Sequence, residues 1–313
     1  MPALSEKVAQ PVIVFKMRIS WIKYFKQEFT TEKCYLKPRE PQFILQSQWK
    51  LHPITWLFYR MFMATYSLIW CICCVVQTNN LKWFIFLTHL TYTILTIYFN
   101  LALVNFICYQ MVRRKKGTPN IKDASLAEIS VSNPTATEIN VETPSATGEE
   151  ILKPPSFLQL SLSIQWHLHN LTCVISLYVT IAFWCIDYVP GGPAPDSINI
   201  NMHAVNSLLV LLELGMTAAP IHLVHFVHVL IYCLTYIFFT IIYWAAGGTN
   251  IKGKRFIYSS LDYGRNPIVA IGCIIGSICI IMPLLQFLVW NLYLFKRHIF
   301  SRFVGKNSDV LHC

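Results

Sequence analysis

Apolar runs of bilayer-spanning length recur along the chain, and polar side chains recur inside them at helical spacing. The runs cover about 54–76, 83–112, 168–188, 201–219, 221–246 and 268–295. A helix needs roughly 20 residues to cross a hydrocarbon layer of about 30 Å, and each run approaches or exceeds that length. In lipid every backbone amide must be satisfied within its own segment, so such runs are helices. The pattern predicts an all-α fold, a polytopic membrane helix bundle of six transmembrane helices. Pro220 should separate the fourth and fifth as a tight hairpin, and Pro283 should kink the sixth.

The most informative stripe lies in MHAVNSLLVLLELGMTAAP at 202–220. His203, Asn206, Val210, Glu213 and Thr217 step by 3, 4, 3 and 4 and share one helical face about 80° wide. A charged side chain facing lipid costs several kcal/mol, at about 2.5–3.5 on insertion scales, so this face points inward. Two readings stand equally: a polar functional site, or a carboxylate bonded to a neighbouring helix for packing. A second stripe, His89, Thr93, Thr96 and Asn100, steps by 4, 3 and 4 along the second run, flanked by Thr88 and Thr91. Hydroxyls in spanning helices often bond back to the preceding turn, so the threonines carry little alone. The histidine adds weight, because a neutral imidazole near pH 7 can deprotonate a hydroxyl nucleophile. Thr88 and His203, on different helices, are such a candidate pair.

Composition agrees with the pattern: the 313 residues are 55% hydrophobic and only 13% charged, against roughly 25% charged in soluble domains. The formal charge of +10 reads as topology and attraction to anionic lipid, and no basic aromatic surface suggests nucleic acid. Basic residues mark one side: a tail over 1–53, a linker over 113–165 that starts with RRKK, and a tail over 296–313. That places both termini in the cytoplasm, with helices 1–2 in 54–112 and helices 3–6 in 166–295. The loop GTNIKGKRFIYSSLDYGR dissents, carrying Lys252, Lys254, Arg255 and Arg265 on the opposite side. Residues 117–155 are rich in Ser, Thr, Pro and Glu and should not fold. Nine of the cysteines fall inside apolar runs, where they behave as small apolar residues. Cys34 and Cys313 fall in the tails.

Other motifs carry less. His222, His225 and His228 open the fifth run, but ligands at i, i+3 and i+6 fan over about 120° and suit a metal poorly. His167 and His169 sit at a membrane boundary. The sequon Asn170-Leu171-Thr172 falls in a span entrance on the cytoplasmic side. Gly272 and Gly276 form a GxxxG that permits close helix contact. No metal and no cofactor is implied.

The blocks HAVNSLLVLLELGMTAAPIHLVHF, IIYWAAGGTN, SQWKL, LFYR, KWFIFLTHLTY and FIYSSLDYGRNP keep their order over about 43–297, and in them the chain resembles the rolling stone family. That resemblance implies a multi-pass membrane protein acting in myoblast fusion or muscle development, at the plasma membrane or endoplasmic reticulum. The family is in turn distantly similar to the androgen-induced membrane hydrolases of fatty-acid esters of hydroxy fatty acids. This second likeness implies a threonine nucleophile and a histidine, matching Thr88 in Phe86-Leu87-Thr88 and His203 ahead of Leu212-Glu213. Alignment from Lys82 instead places Ile85 at the threonine, which would remove the nucleophile. With the dyad, Asn206 would donate to the oxyanion and Glu213 would hold the helix or its partner. The partners implied are the bilayer, a lipid-ester substrate and other membrane proteins. Whether the chain is catalytic stays open at this point.

Overall fold

A computed structural model describes residues 25–30, 33, 42–78, 80–117, 155–188 and 194–303. Among them are six helices long and apolar enough to cross a membrane: α1 (Pro53–Thr78), α2 (Leu87–Arg114), α3 (Ser156–Asp187), α4 (Ser197–Met216), α5 (Leu223–Ala245) and α6 (Pro267–Phe303). The protein is an integral, multi-pass membrane helix bundle, and with six described spans the start of α1 and the end of α6 lie on one face. Most of the proposed linker, 118–154, and the outer tails lie outside the described residues.

The helices are apolar outside and polar inside, as a lipid solvent demands. On α1 the lipid side carries Ile54, Phe58, Phe62, Ile69 and Ile72, while Trp56, Arg60, Met63, Ser67 and Cys74 are buried. All five residues of the stripe are buried; Leu208, Leu211 and Leu212 face outward, and Leu209 packs inside. Helix α3 starts at Ser156, well before position 168, where apolarity alone placed it. Its first turns are amphipathic, burying Leu158, Leu162, Gln165 and Trp166 while Phe157, Leu160 and Ile164 stay exposed. A hydropathy run misses such a segment because its inward residues include polar ones. Helix α4 ends at Met216, and Thr217 turns to extended backbone. There Gln48 N–H donates to the Met216 carbonyl (2.9 Å) and Ala218 N–H to that of Gln46 (3.1 Å), a short antiparallel bridge to the segment before α1.

Side chains then cross-brace the bundle. Arg60 on α1 donates to Glu213 on α4 at 2.7 Å, and Tyr98 on α2 and Tyr59 on α1 donate to the same carboxylate at 2.6 and 2.9 Å. The guanidinium lies 4.4 Å from the Trp56 ring centre, so the indole face also meets the charge. Lys296 on α6 donates to the carbonyls of Leu214 (2.9 Å) and Thr217 (2.6 Å) at the end of α4. Asn105 on α2 donates to Gln165 on α3 at 2.8 Å. Before the spans, Glu28 accepts from Leu223 N–H at the start of α5 (2.8 Å) and pairs with Lys33 (2.7 Å) and His222 (3.2 Å).

Removing one partner of a buried pair leaves an uncompensated charge, typically at a cost of about 3–5 kcal/mol. Glu213→Leu or Arg60→Met alone should therefore lower the thermal unfolding midpoint in detergent sharply, and the double variant should recover much of the loss. Additive losses would refute the pairing. At Glu28 burial pushes the carboxyl up, but His222 and Lys33 outweigh it and hold it at about 2, against 4.5 unperturbed. Its folded-state value is depressed, so its contribution is complete above pH 4.5 and is lost as pH falls towards 2. Acidification over that window should release the segment around Glu28 to limited proteolysis, and Glu28→Gln should release it at neutral pH.

Candidate intramembrane site

Thr88 opens α2 and His203 lies in the second turn of α4. Both line one pocket of about 810 Å³, counted out to its open mouth, in the half of the bundle nearest the loop that joins α5 to α6. Its walls are mainly apolar, with Leu87, Val179, Ile237, Ile274 and Met282 among them. Polar groups converge on it from four other places: Tyr178, Asp187, Tyr236, Tyr258 and Ser277. Tyr178 and Ser277 share a hydrogen bond of 2.9 Å between α3 and α6.

The space has a local backbone cause. Three helices each carry one widened, π-helical turn: Phe183–Asp187 in α3, Asn201–Val205 in α4 and Ser277–Ile281 in α6. In each, an amide reaches five residues back, as Tyr188 N–H does to the Phe183 carbonyl at 2.8 Å. An inserted residue shifts the following side chains off their former face and loosens contact with neighbouring helices, and such turns concentrate at functional sites. All three turns contribute to this one wall: Phe183 and Asp187 from the first, His203 from the second, Ser277 and Ile278 from the third. The third turn ends just ahead of Pro283, whose ring cannot donate one turn back and crowds the carbonyl there, so the widened turn sits where the kink was expected.

The His203 ring stacks on Phe183 with centres 3.8 Å apart and planes 8° from parallel. Its Nδ1 is buried and has no hydrogen-bond partner among the described residues. Thr88 is 7% exposed, and its hydroxyl lies beside that of Tyr258. Tyr236 fixes this corner, donating to the Ile85 carbonyl (2.8 Å) and accepting from Leu87 N–H (3.1 Å). Burial, opposed by contact with Thr88, pushes the Tyr258 phenol up to about 12, so it is a neutral donor across the physiological range. Thr88 and His203 share the cavity without a hydrogen bond between them.

The remaining stripe residues are placed elsewhere. His89 Nδ1 lies 2.8 Å from the Trp83 carbonyl, with its ring stacked on that indole, and it does not line the cavity. The Asn206 amide donates to the Met202 carbonyl (3.2 Å) inside the bundle, also off the cavity wall. Glu213 follows His203 by ten positions, about 15 Å along a helix, and is engaged by Arg60. Thr93 and Thr96 bond back to the carbonyls of His89 and Tyr92. Spacing within one helix gave no sign of Tyr258, Asp187 or the Tyr178–Ser277 pair, because each comes from a different segment. At the opposite end His225 meets the Lys33 carbonyl (3.0 Å), and His167 and His228 meet edge to face. Among the described residues no group of three or more His, Cys, Asp or Glu side chains is placed to hold a metal ion.

A family model for protein rolling stone matches residues 153–309, which take in α3 to α6 and so His203, Asn206 and Glu213. The chain belongs to the rolling stone family. It is 24% identical over 257 residues to protein rolling stone of Drosophila melanogaster, an alignment covering 80% of this chain and 82% of the other. Thr88 lies ahead of the segment matched by the rolling stone model. No solved structure matches.

Proposed function

We propose that this rolling stone family protein is a membrane-embedded hydrolase of lipid esters, with Thr88 as nucleophile and His203 as base. The observation that carries the reading is that these two residues, from helices far apart in sequence, face the same mostly apolar cavity. The apolar walls of the cavity suit an acyl chain, with a few convergent polar groups to orient an ester. Ile85 does not line it, and its carbonyl is taken by Tyr236, which favours Thr88 as the nucleophile.

In the proposed reaction His203 takes the Thr88 proton while Thr88 Oγ adds to the ester carbonyl. Collapse breaks the bond to the alcohol oxygen, which receives that proton from His203 and leaves. Water, deprotonated by His203, then adds to the acyl-threonine, and collapse returns the proton to Thr88 and releases the fatty acid. Tyr258, beside Thr88, is the better-placed donor to the oxyanion, since the Asn206 amide is directed to Met202. Apo sites of this kind are often loose and tighten on substrate.

Purified protein in detergent should hydrolyse a fatty-acid ester of a hydroxy fatty acid. Thr88→Ala and His203→Ala should each lose about 10³-fold or more in kcat with folding intact, and Thr88→Ser should keep part of the activity. An inactive wild type, beside a working control hydrolase, would sink the proposal.

Family membership supports a second reading, a role in cell–cell fusion during muscle development. Expression in fusion-competent cells should raise fusion frequency, and an unchanged frequency would dismiss it. Thr88→Ala at wild-type potency would show that fusion does not run through the hydrolytic site.

A further inference from the structure

The loop between α5 and α6 is strongly basic, yet it lies on the face opposite the start of α1 and the end of α6, where the charge pattern of the chain calls for few cations. It is also a built structure. Asn250 Oδ1 accepts from Lys252 N–H (2.9 Å) and Lys254 N–H (3.0 Å), and Asn250 N–H donates to the Lys254 carbonyl (2.8 Å). Gly253 closes this turn at φ +73°, a left-handed conformation that favours glycine. Lys82, from the turn before α2, staples it through Thr249 Oγ1 (2.7 Å) and the Asn250 carbonyl (3.1 Å).

The fold brings Lys254, Arg255 and Arg265 to one cleft of about 770 Å³, counted to its open mouth, with Trp244 in its wall. All three cations are exposed, and none has an ion pair among the described residues. The one acid in the wall, Asp262, turns Oδ1 to the amides of Gly264 (3.2 Å) and Arg265 (3.0 Å). The cleft sits where α5 ends and α6 begins, at the rim of the membrane-spanning region. The apolar flank on the α6 side is exposed: Ile268, three positions past Arg265 at the start of α6, is 84% exposed. A soluble anion needs no such flank. A membrane lipid with its phosphate in this cleft would set its chains beside Ile268.

We infer that this cleft is a binding site for the phosphate headgroup of an anionic membrane lipid, held by Lys254, Arg255 and Arg265. Cations near an anionic lipid surface attract it strongly, and a loop already fixed by Asn250 and Lys82 loses little freedom on binding. Headgroup capture here requires no hydrolysis at Thr88, so the two stand or fall separately.

The test is native mass spectrometry of the full chain in detergent, counting retained phosphatidic acid against phosphatidylcholine with identical acyl chains. A preference of about thirtyfold or more for phosphatidic acid is expected, on the scale of two or three cations at a lipid surface. Lys254→Gln/Arg255→Gln/Arg265→Gln should abolish it, and Arg113→Gln/Arg114→Gln on the opposite face should not. Elution as a single species with unchanged helical dichroism establishes folding, and Lys254→Arg should retain the preference. Equal retention of the two lipids by wild type, or an undiminished preference in the triple variant, overturns the inference. Complete displacement by millimolar inorganic phosphate would assign the cleft to free phosphate and overturn the lipid assignment.

Discussion

A guanidinium and a carboxylate, Arg60 and Glu213, meet at 2.7 Å in the interior of a bundle whose surroundings are apolar. Neither is tolerable there alone, because moving an ion into a low-dielectric interior costs several kcal/mol even after relaxation. Together they are tolerated: two tyrosine hydroxyls and Arg60 Nη1 meet the carboxylate, and an indole lies under the guanidinium. Arg60 Nε and Nη2 have no hydrogen-bond partner among the described residues. The pairing sets the rotation of α1 and α4 about their axes and brings α2 against both. Lys296 extends the same logic to α6, spending its ammonium on the carbonyls that α4 leaves unpaired at its end. In lipid, where apolar contact gives little preference for one helix neighbour over another, such polar contacts specify which helices meet.

The bundle is uneven along its depth. Near the tails it is closed by cross-braces: Arg60–Glu213, Asn105–Gln165, the Ser47–Thr217 bridge and the docking of Glu28 onto the start of α5. Towards the opposite face, three widened turns loosen α3, α4 and α6 around a single cavity. Cross-bracing at one end and local irregularity at the other shape the cavity among the described residues. The α4 stripe serves both ends, with Glu213 in the closed half and His203 at the cavity.

The loop between α5 and α6 joins the cavity to the surface. Tyr258, Ser260 and Leu261 line the cavity, and Lys254, Arg255 and Asp262 line the basic cleft beside it. A short, hydrogen-bonded loop thus touches the cavity on one side and the basic cleft on the other.

Much of the fold was legible from residues alone. The six spans, the inward face of α4 and the back-bonded threonines of α2 follow from the period of the helix and the cost of exposing polar groups to lipid. Those rules act locally, and they do not depend on which helix is the neighbour. The early start of α3 escaped because Gln165 and its neighbours are satisfied by another helix rather than by apolarity. At the candidate site, His203 and Thr88 could be singled out, but spacing within one helix carries no information about a facing helix. The partner of Glu213, the tyrosine beside Thr88 and the three cations of the cleft are decided by how helices and loops pack. The π turns are set there too, since a widened turn trades ideal local bonding for contacts that exist only once the bundle has assembled.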